Sequence, residues 1–129
     1  LKTGHVIPSL IYKCLTEKRL IVWGDGKPIR DFLYVEDFAE GLLLAAEKLN
    51  NSQPVNLASG EKITIKKLVK LIVKSTHFKG NVVWDKSKPA GQKIRTLDIK
   101  RAKRILDFKP KWLLEDGLKA TINWLKKQL

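Results

Sequence analysis

The sequence predicts a small α/β domain, on three observations. Short β-prone apolar runs alternate with longer segments of helical period. Turn-forming clusters separate them, above all Gly24-Asp25-Gly26-Lys27-Pro28 and Asn50-Asn51-Ser52-Gln53-Pro54. The 129 residues, 43% hydrophobic and 30% charged, suit a single domain (1–129) with a modest core.

Each element has its own justification. Residues 5–18 predict a helix: Pro8 lies in its first turn, where a missing N–H costs nothing, and Val6, Ile7, Leu10, Ile11, Cys14 and Leu15 recur at helical spacing. Leu20–Trp23 and Phe32–Val35 predict short strands on either side of the Gly-Asp-Gly-Lys-Pro turn. Glu36 and Asp37 place negative charge at the start of a helix to about Leu49, with Phe38, Leu42, Leu43, Ala45 and Ala46 as its apolar face. Val55–Ala58 predicts a strand stopped by Ser59-Gly60. Thr64 predicts the N-cap of a helix over 65–76, with Leu68, Leu71 and Ile72 inward and Lys66, Lys67, Lys70 and Lys74 outward. Val82–Trp84 predicts a further strand, 86–95 a basic loop, and 99–107 a helix capped by Asp98 and followed by Pro110. A last helix covers 114–128 with Leu114, Leu118, Ile122 and Leu125 as its stripe. The result is a small sheet with flanking helices, not a complete doubly wound fold; the earlier strands of such a fold would lie upstream.

Composition narrows the function. The chain opens on Leu1 and contains no Met, so it is expected to be an excised or processed piece. No apolar run approaches the roughly 20 residues that span a bilayer, so no membrane partner is expected. Cys14 is alone, which excludes an internal disulfide and predicts a reducing, cytoplasmic location. One Cys and two His exclude a zinc cluster. The net charge of +13 favours anionic partners, and residues 86–111 carry ten Lys or Arg against Asp98 and Asp107. No nucleic-acid recognition motif accompanies that charge, so nucleic acid is not an expected partner. No glycine-rich strand–turn–helix fingerprint and no Tyr followed four residues later by Lys is present, so the chain alone is expected to bind no dinucleotide.

Five side chains are candidates for chemistry. Arg30 follows the turn, and its planar fork suits two phosphate oxygens; the alternative is an ion pair with Asp31 or Asp37. His5 at a helix start suits proton transfer near neutrality, or a backbone contact only. Trp23, ending a strand, suits stacking on a base or sugar, or a place in the core. Lys13, two helical turns after His5, and Arg95, beyond the basic loop, are further phosphate contacts or plain surface charge. His77 is read as an exposed residue after the 65–76 helix.

Seven blocks occur in order: His5–Ile11, Val22–Pro28, Arg30–Asp37, Asn56–Gly60, Ile63–Ile65, Trp84–Pro89 and Thr96–Asp98. Together they resemble the C-terminal part of the extended short-chain dehydrogenases that act on nucleotide sugars, in particular the GDP-L-fucose synthase branch. The resemblance implies the substrate-binding portion of a Rossmann-type enzyme that uses NAD(P), epimerises GDP-4-keto-6-deoxy-mannose at two carbons and reduces its ketone. It implies acid/base work for His5, substrate contacts for Lys13, Trp23 and Arg30, and a diphosphate contact for Arg95, where the family commonly has Lys. The implied partners are a nucleotide-diphosphate sugar, the enzyme's own N-terminal Rossmann domain, and a second copy of the complete enzyme. Ala90 departs from the acidic residue common in the family's loop, and Cys14 does not match the family's epimerising cysteine. The resemblance leaves two other readings open: a UDP- or dTDP-sugar 4-epimerase or 4,6-dehydratase, and a non-enzymatic basic binding module.

Overall fold

The computed structural model describes residues 5–129. Helix α1 (Val6–Thr16) leads into β1 (Arg19–Trp23), and the glycine turn into β2 (Ile29–Arg30). There follow α2 (Val35–Lys48), β3 (Ile63–Thr64), α3 (Ile65–Thr76), β4 (Asn81–Asp85), β5 (Ile94–Arg95), α4 (Lys100–Leu106) and α5 (Leu114–Lys126). The strands make two small sheets. In one, β1 and β4 run parallel, from Arg19 opposite Asn81 to Trp23 opposite Asp85. In the other, β2 lies between antiparallel β3 and parallel β5. The fold is therefore mixed α/β, as the alternating pattern requires.

The larger core forms where α1, α3 and α5 cover the β1–β4 pair. Ile11, Leu20, Leu68, Ile72, Ile122 and Leu125 are its most enclosed members. Leu20 and Val22 point inward while Ile21 and Trp23 point out, the period-two alternation of a strand. A second cluster of Ala102, Leu106 and Phe108 packs with Leu44, Ala45, Leu57 and Ile105 between α2 and α4.

Helix α3 shows how the glycine turn is built into the frame. Its first amides need acceptors. The Thr64 hydroxyl accepts from Lys67 N at 3.2 Å, the expected cap, while the carbonyls of Pro28 and Gly26 accept from Ile65 N and Lys66 N, each at 2.9 Å. The turn that leads into Arg30 is thus fastened to the helix.

Four expectations need correction. Phe32–Val35 forms no strand: ladder pairing ends at Arg30, because Asp31 turns to bind the 59–60 loop and Tyr34 already occupies the cap position of α2. Val55–Ala58 forms no strand either. Its alternation is real, since Val55 and Leu57 pack on the second cluster, but no strand among the described residues ladders with it. The basic loop at 86–95 ends in a strand, β5, which the two residues Ile94 and Arg95 are too few to signal. Most of the apolar face expected for α2 is turned outward: Phe38 (45%), Leu42 (52%), Leu43 (72%) and Ala46 are exposed, and of that face Ala45 alone packs inward, on the side where the helix seats Asp37, Gly41 and Leu44.

Candidate functional site

The Arg30–Asp37 segment holds its one cation apart from Asp31 and Asp37, the carboxylates expected to pair with it. Asp31 Oδ1 accepts from Ser59 N (2.9 Å) and from the Ser59 hydroxyl (2.7 Å), and Oδ2 accepts from Gly60 N (2.9 Å). Asp37 is 2% exposed, and its two oxygens accept from Lys111 N and Trp112 N, each at 3.0 Å. Both carboxylates are spent on backbone amides that would otherwise lack acceptors. Arg30 is left with carbonyls: its Nη1 donates to Ile29 O and Gln92 O, both at 2.8 Å. Among the described residues its Nε and Nη2 make no hydrogen bond. The ion pair with Asp31 or Asp37 does not form.

Arg30 stands opposite Arg95 in the parallel register of β2 and β5. Both line one concavity of about 390 Å³, with Val6, Asp31, Phe32, Leu57, Ala58 and Thr96 on its other walls. Two guanidinium groups facing one open space suit a ligand with two linked anionic groups.

The other candidates sit at different distances from this space. His5 is the exposed residue before α1; its carbonyl accepts from Ser9 N at 3.2 Å, its side chain makes no capping bond, and its neighbour Val6 lines the concavity. Trp23 is 58% exposed at the end of β1, so it is not a core residue. Lys13 is half-buried in the last turn of α1. Neither Trp23 nor Lys13 belongs to the walls of the concavity. His77 is the exposed αL cap of α3. The roles of Asp31 and Asp37 were missed by reading the sequence. For Asp31 the available signal was Ser59-Gly60, a pair of loop amides that call for an acceptor.

Cys14 is inert by its surroundings. It is 7% exposed, and burial pushes its thiol up from the ordinary range, against the lowering effect of a bond with Thr76. At pH 8 iodoacetamide is expected to label the folded chain at least tenfold more slowly than the urea-unfolded chain. Equal rates would show that the thiol is accessible and ionisable.

Gly24 and Gly26 do not form a dinucleotide cradle. A Cβ on Gly24 would lie 2.7 Å from the Ala90 Cβ, and one on Gly26 2.6 Å from the Trp84 ring, so the space beside each is filled by protein. The pair leads into β2, not a helix. These residues do not fit NAD(P), and no group of three or more His, Cys, Asp or Glu among the described residues is placed to hold a metal ion. No described helix is long and apolar enough to cross a membrane.

Known proteins share this sequence and this fold. Residues 1–58 match the model of the NAD dependent epimerase/dehydratase family. The chain is 34% identical over 128 residues to a probable GDP-L-fucose synthase 1 of Oryza sativa subsp. japonica, covering 95% of this chain and 39% of that protein. It superposes on a GDP-L-fucose synthetase of Naegleria fowleri bound to NADP with a TM-score of 0.91 and 30% identity, covering 98% of this chain and 41% of the other. It superposes on a UDP-glucose 4-epimerase of Thermotoga maritima with UDP-glucose with a TM-score of 0.89 and 30% identity, covering 96% and 40%. In sequence and in fold, along nearly its whole length, the chain is similar to the nucleotide-sugar epimerases and reductases of that family. It spans about two fifths of the length of the curated relatives it matches.

Proposed function

We propose that this chain is the sugar-nucleotide-binding part of an NAD(P)-dependent epimerase/reductase, acting on a GDP-4-keto-6-deoxy-hexose in the manner of GDP-L-fucose synthase. The observation that carries the reading is the Arg30–Arg95 pair, in register and lining one concavity, with Arg30 held by carbonyls and left without a carboxylate. Arg30 and Arg95 grip the diphosphate, and Lys13 adds positive charge from α1. Trp23 stacks against the nucleoside or sugar, and His5 moves the proton in the epimerisation. The nicotinamide cofactor, which supplies the hydride, is held by another part of the complete enzyme.

The exposed stripe of α2 supports that division of labour. Val35, Phe38, Leu42 and Leu43 recur on one helical face and present a contiguous apolar surface. It is the surface on which the NAD(P)-binding domain packs. For the chain by itself, Leu42→Lys is expected to change stability by less than about 0.5 kcal/mol, as exposed positions do, and to lower its self-association in light scattering. A large loss of stability would show that the stripe is packed within the chain.

Calorimetric titration with GDP and GDP-sugars tests the site. Binding is expected to weaken roughly 10- to 100-fold on Arg30→Ala, from the loss of charge-assisted hydrogen bonds. Binding indifferent to that change overturns the proposal. The likeness to the UDP-glucose 4-epimerase favours a second reading, in which the ligand is a UDP-sugar. A preference for UDP over GDP in the same titration would select it.

A further inference from the structure

Past their two-residue ladder, β2 and β5 continue into two walls of the Arg30–Arg95 concavity, residues 30–33 on one side and 95–97 on the other. Leu57 and Ala58 supply a third wall, and Ala58 is 4% exposed. They belong to a strap, residues 56–60, which ladders with no strand among the described residues. Whatever fixes this strap to its two neighbours also fixes the width of the concavity.

The strap is tied on both sides. Toward β2, Asp31 accepts from Ser59 N and Gly60 N, each at 2.9 Å, and from the Ser59 hydroxyl at 2.7 Å. Toward β5, the Asn56 side-chain amide donates from Nδ2 to the Asp98 carbonyl at 3.3 Å. The Asp98 carboxylate is itself turned to Lys100 N, at 2.7 Å. Gly60 adds a steric stop: its φ is +79°, and a Cβ there would lie 2.8 Å from Cδ1 of Ile99, which is 6% exposed. Arg95 is exposed, so its place depends on the backbone that carries it. Three donors tie the strap to Asp31, whereas the segment after Arg95 is tied by the one amide of Asn56.

We propose that Asn56 is a positioning residue that determines specificity: it holds Arg95 at a fixed span from Arg30, and that span selects two linked phosphoryl groups over a single phosphate. This role rests on the sugar-nucleotide reading of the concavity. The ladder sets the register of the two arginines, but it ends with them and leaves the course of the following chain to other contacts. Two guanidinium groups held apart each grip an anionic group through charge-assisted bonds, and fixing them beforehand lowers the ordering cost of binding. A monophosphate has one group to offer and gains little from the span. Asn56 does not line the concavity and acts through Arg95.

Calorimetric titration of this chain with GDP and GMP tests the role. The parent chain is expected to bind GDP about tenfold or more tightly than GMP. Asn56→Ala and Asn56→Leu, the second keeping the size of the side chain without its donor, are expected to weaken GDP roughly five- to tenfold and GMP no more than about twofold. Because Asn56 is exposed, the urea midpoint of both variants is expected to stay close to that of the parent. Asn51→Ala is the control: this exposed side chain of the preceding loop accepts from Gln53 N at 3.0 Å, and its loss is expected to change neither ligand. Equal binding of GDP and GMP by the parent, a preference that survives in both Asn56 variants, or equal weakening of the two ligands overturns the role of Asn56 and leaves the sugar-nucleotide site standing. A parent chain that binds neither nucleotide overturns the site itself, and the role of Asn56 with it.

Discussion

Replacing Asp37 with alanine is expected to cost about 3 kcal/mol of stability, read as a lower urea midpoint with an unchanged slope. The side chain is 2% exposed and accepts from two backbone amides, Lys111 N and Trp112 N. Its removal strands two part-buried donors and leaves a void where the buried carboxylate sat. The contact also fastens the segment before α5 to the first turn of α2. There Trp112 stacks on Tyr34, ring centres 4.3 Å apart, and Lys111 Nζ reaches Glu40 Oε1 at 2.7 Å. Asp37→Asn keeps one acceptor and is expected to lose about half as much. A loss below about 1 kcal/mol for alanine would mean that water satisfies the two amides in place of the carboxylate.

Gly26→Ala is expected to cost about 2–4 kcal/mol, from two separate causes. Gly26 has a φ of +75°, a region costly for a residue with a Cβ. The new Cβ would also lie 2.6 and 2.7 Å from ring atoms of Trp84 and 2.9 Å from the Lys66 Cβ. Relief requires the turn to withdraw from α3, whose Lys66 N bonds to the Gly26 carbonyl. Thermal unfolding measures the cost. Because the same turn leads into Pro28, Ile29 and Arg30, the sugar-nucleotide titration should weaken in parallel. A fully stable Gly26→Ala would show that Trp84 moves aside without cost.

Much of the frame was legible because its signals are local. The Thr64 cap, the Leu68 and Ile72 stripe of α3 and the Gly-Asp-Gly-Lys-Pro turn depend on neighbours within a few residues, and each appears where the pattern puts it. What escaped is set by contacts distant in sequence. Val55–Ala58 has the alternation of a strand but lacks a ladder among the described residues. α2 carries apolar residues around most of its circumference, so periodicity could not choose its inward side. Gly41 did, by letting Leu57 and Phe108 approach where a Cβ would lie about 2.8–3.0 Å from them. At the site, Arg30 was legible from its place after the turn. Its freedom from carboxylates was not, since that depends on amides at 59–60 and 111–112 drawing Asp31 and Asp37 away.

The parallel ladder of β1 and β4 has a kinetic consequence. Its strands lie about sixty residues apart in the chain, and everything from the glycine turn through α3 must be looped out before Arg19 meets Asn81. Local helices form in microseconds, whereas so remote a pairing waits on the closure entropy of that long loop. Refolding is therefore expected to show helical dichroism developing ahead of amide protection at Leu20 and Val22, with the ladder among the last contacts to be sealed.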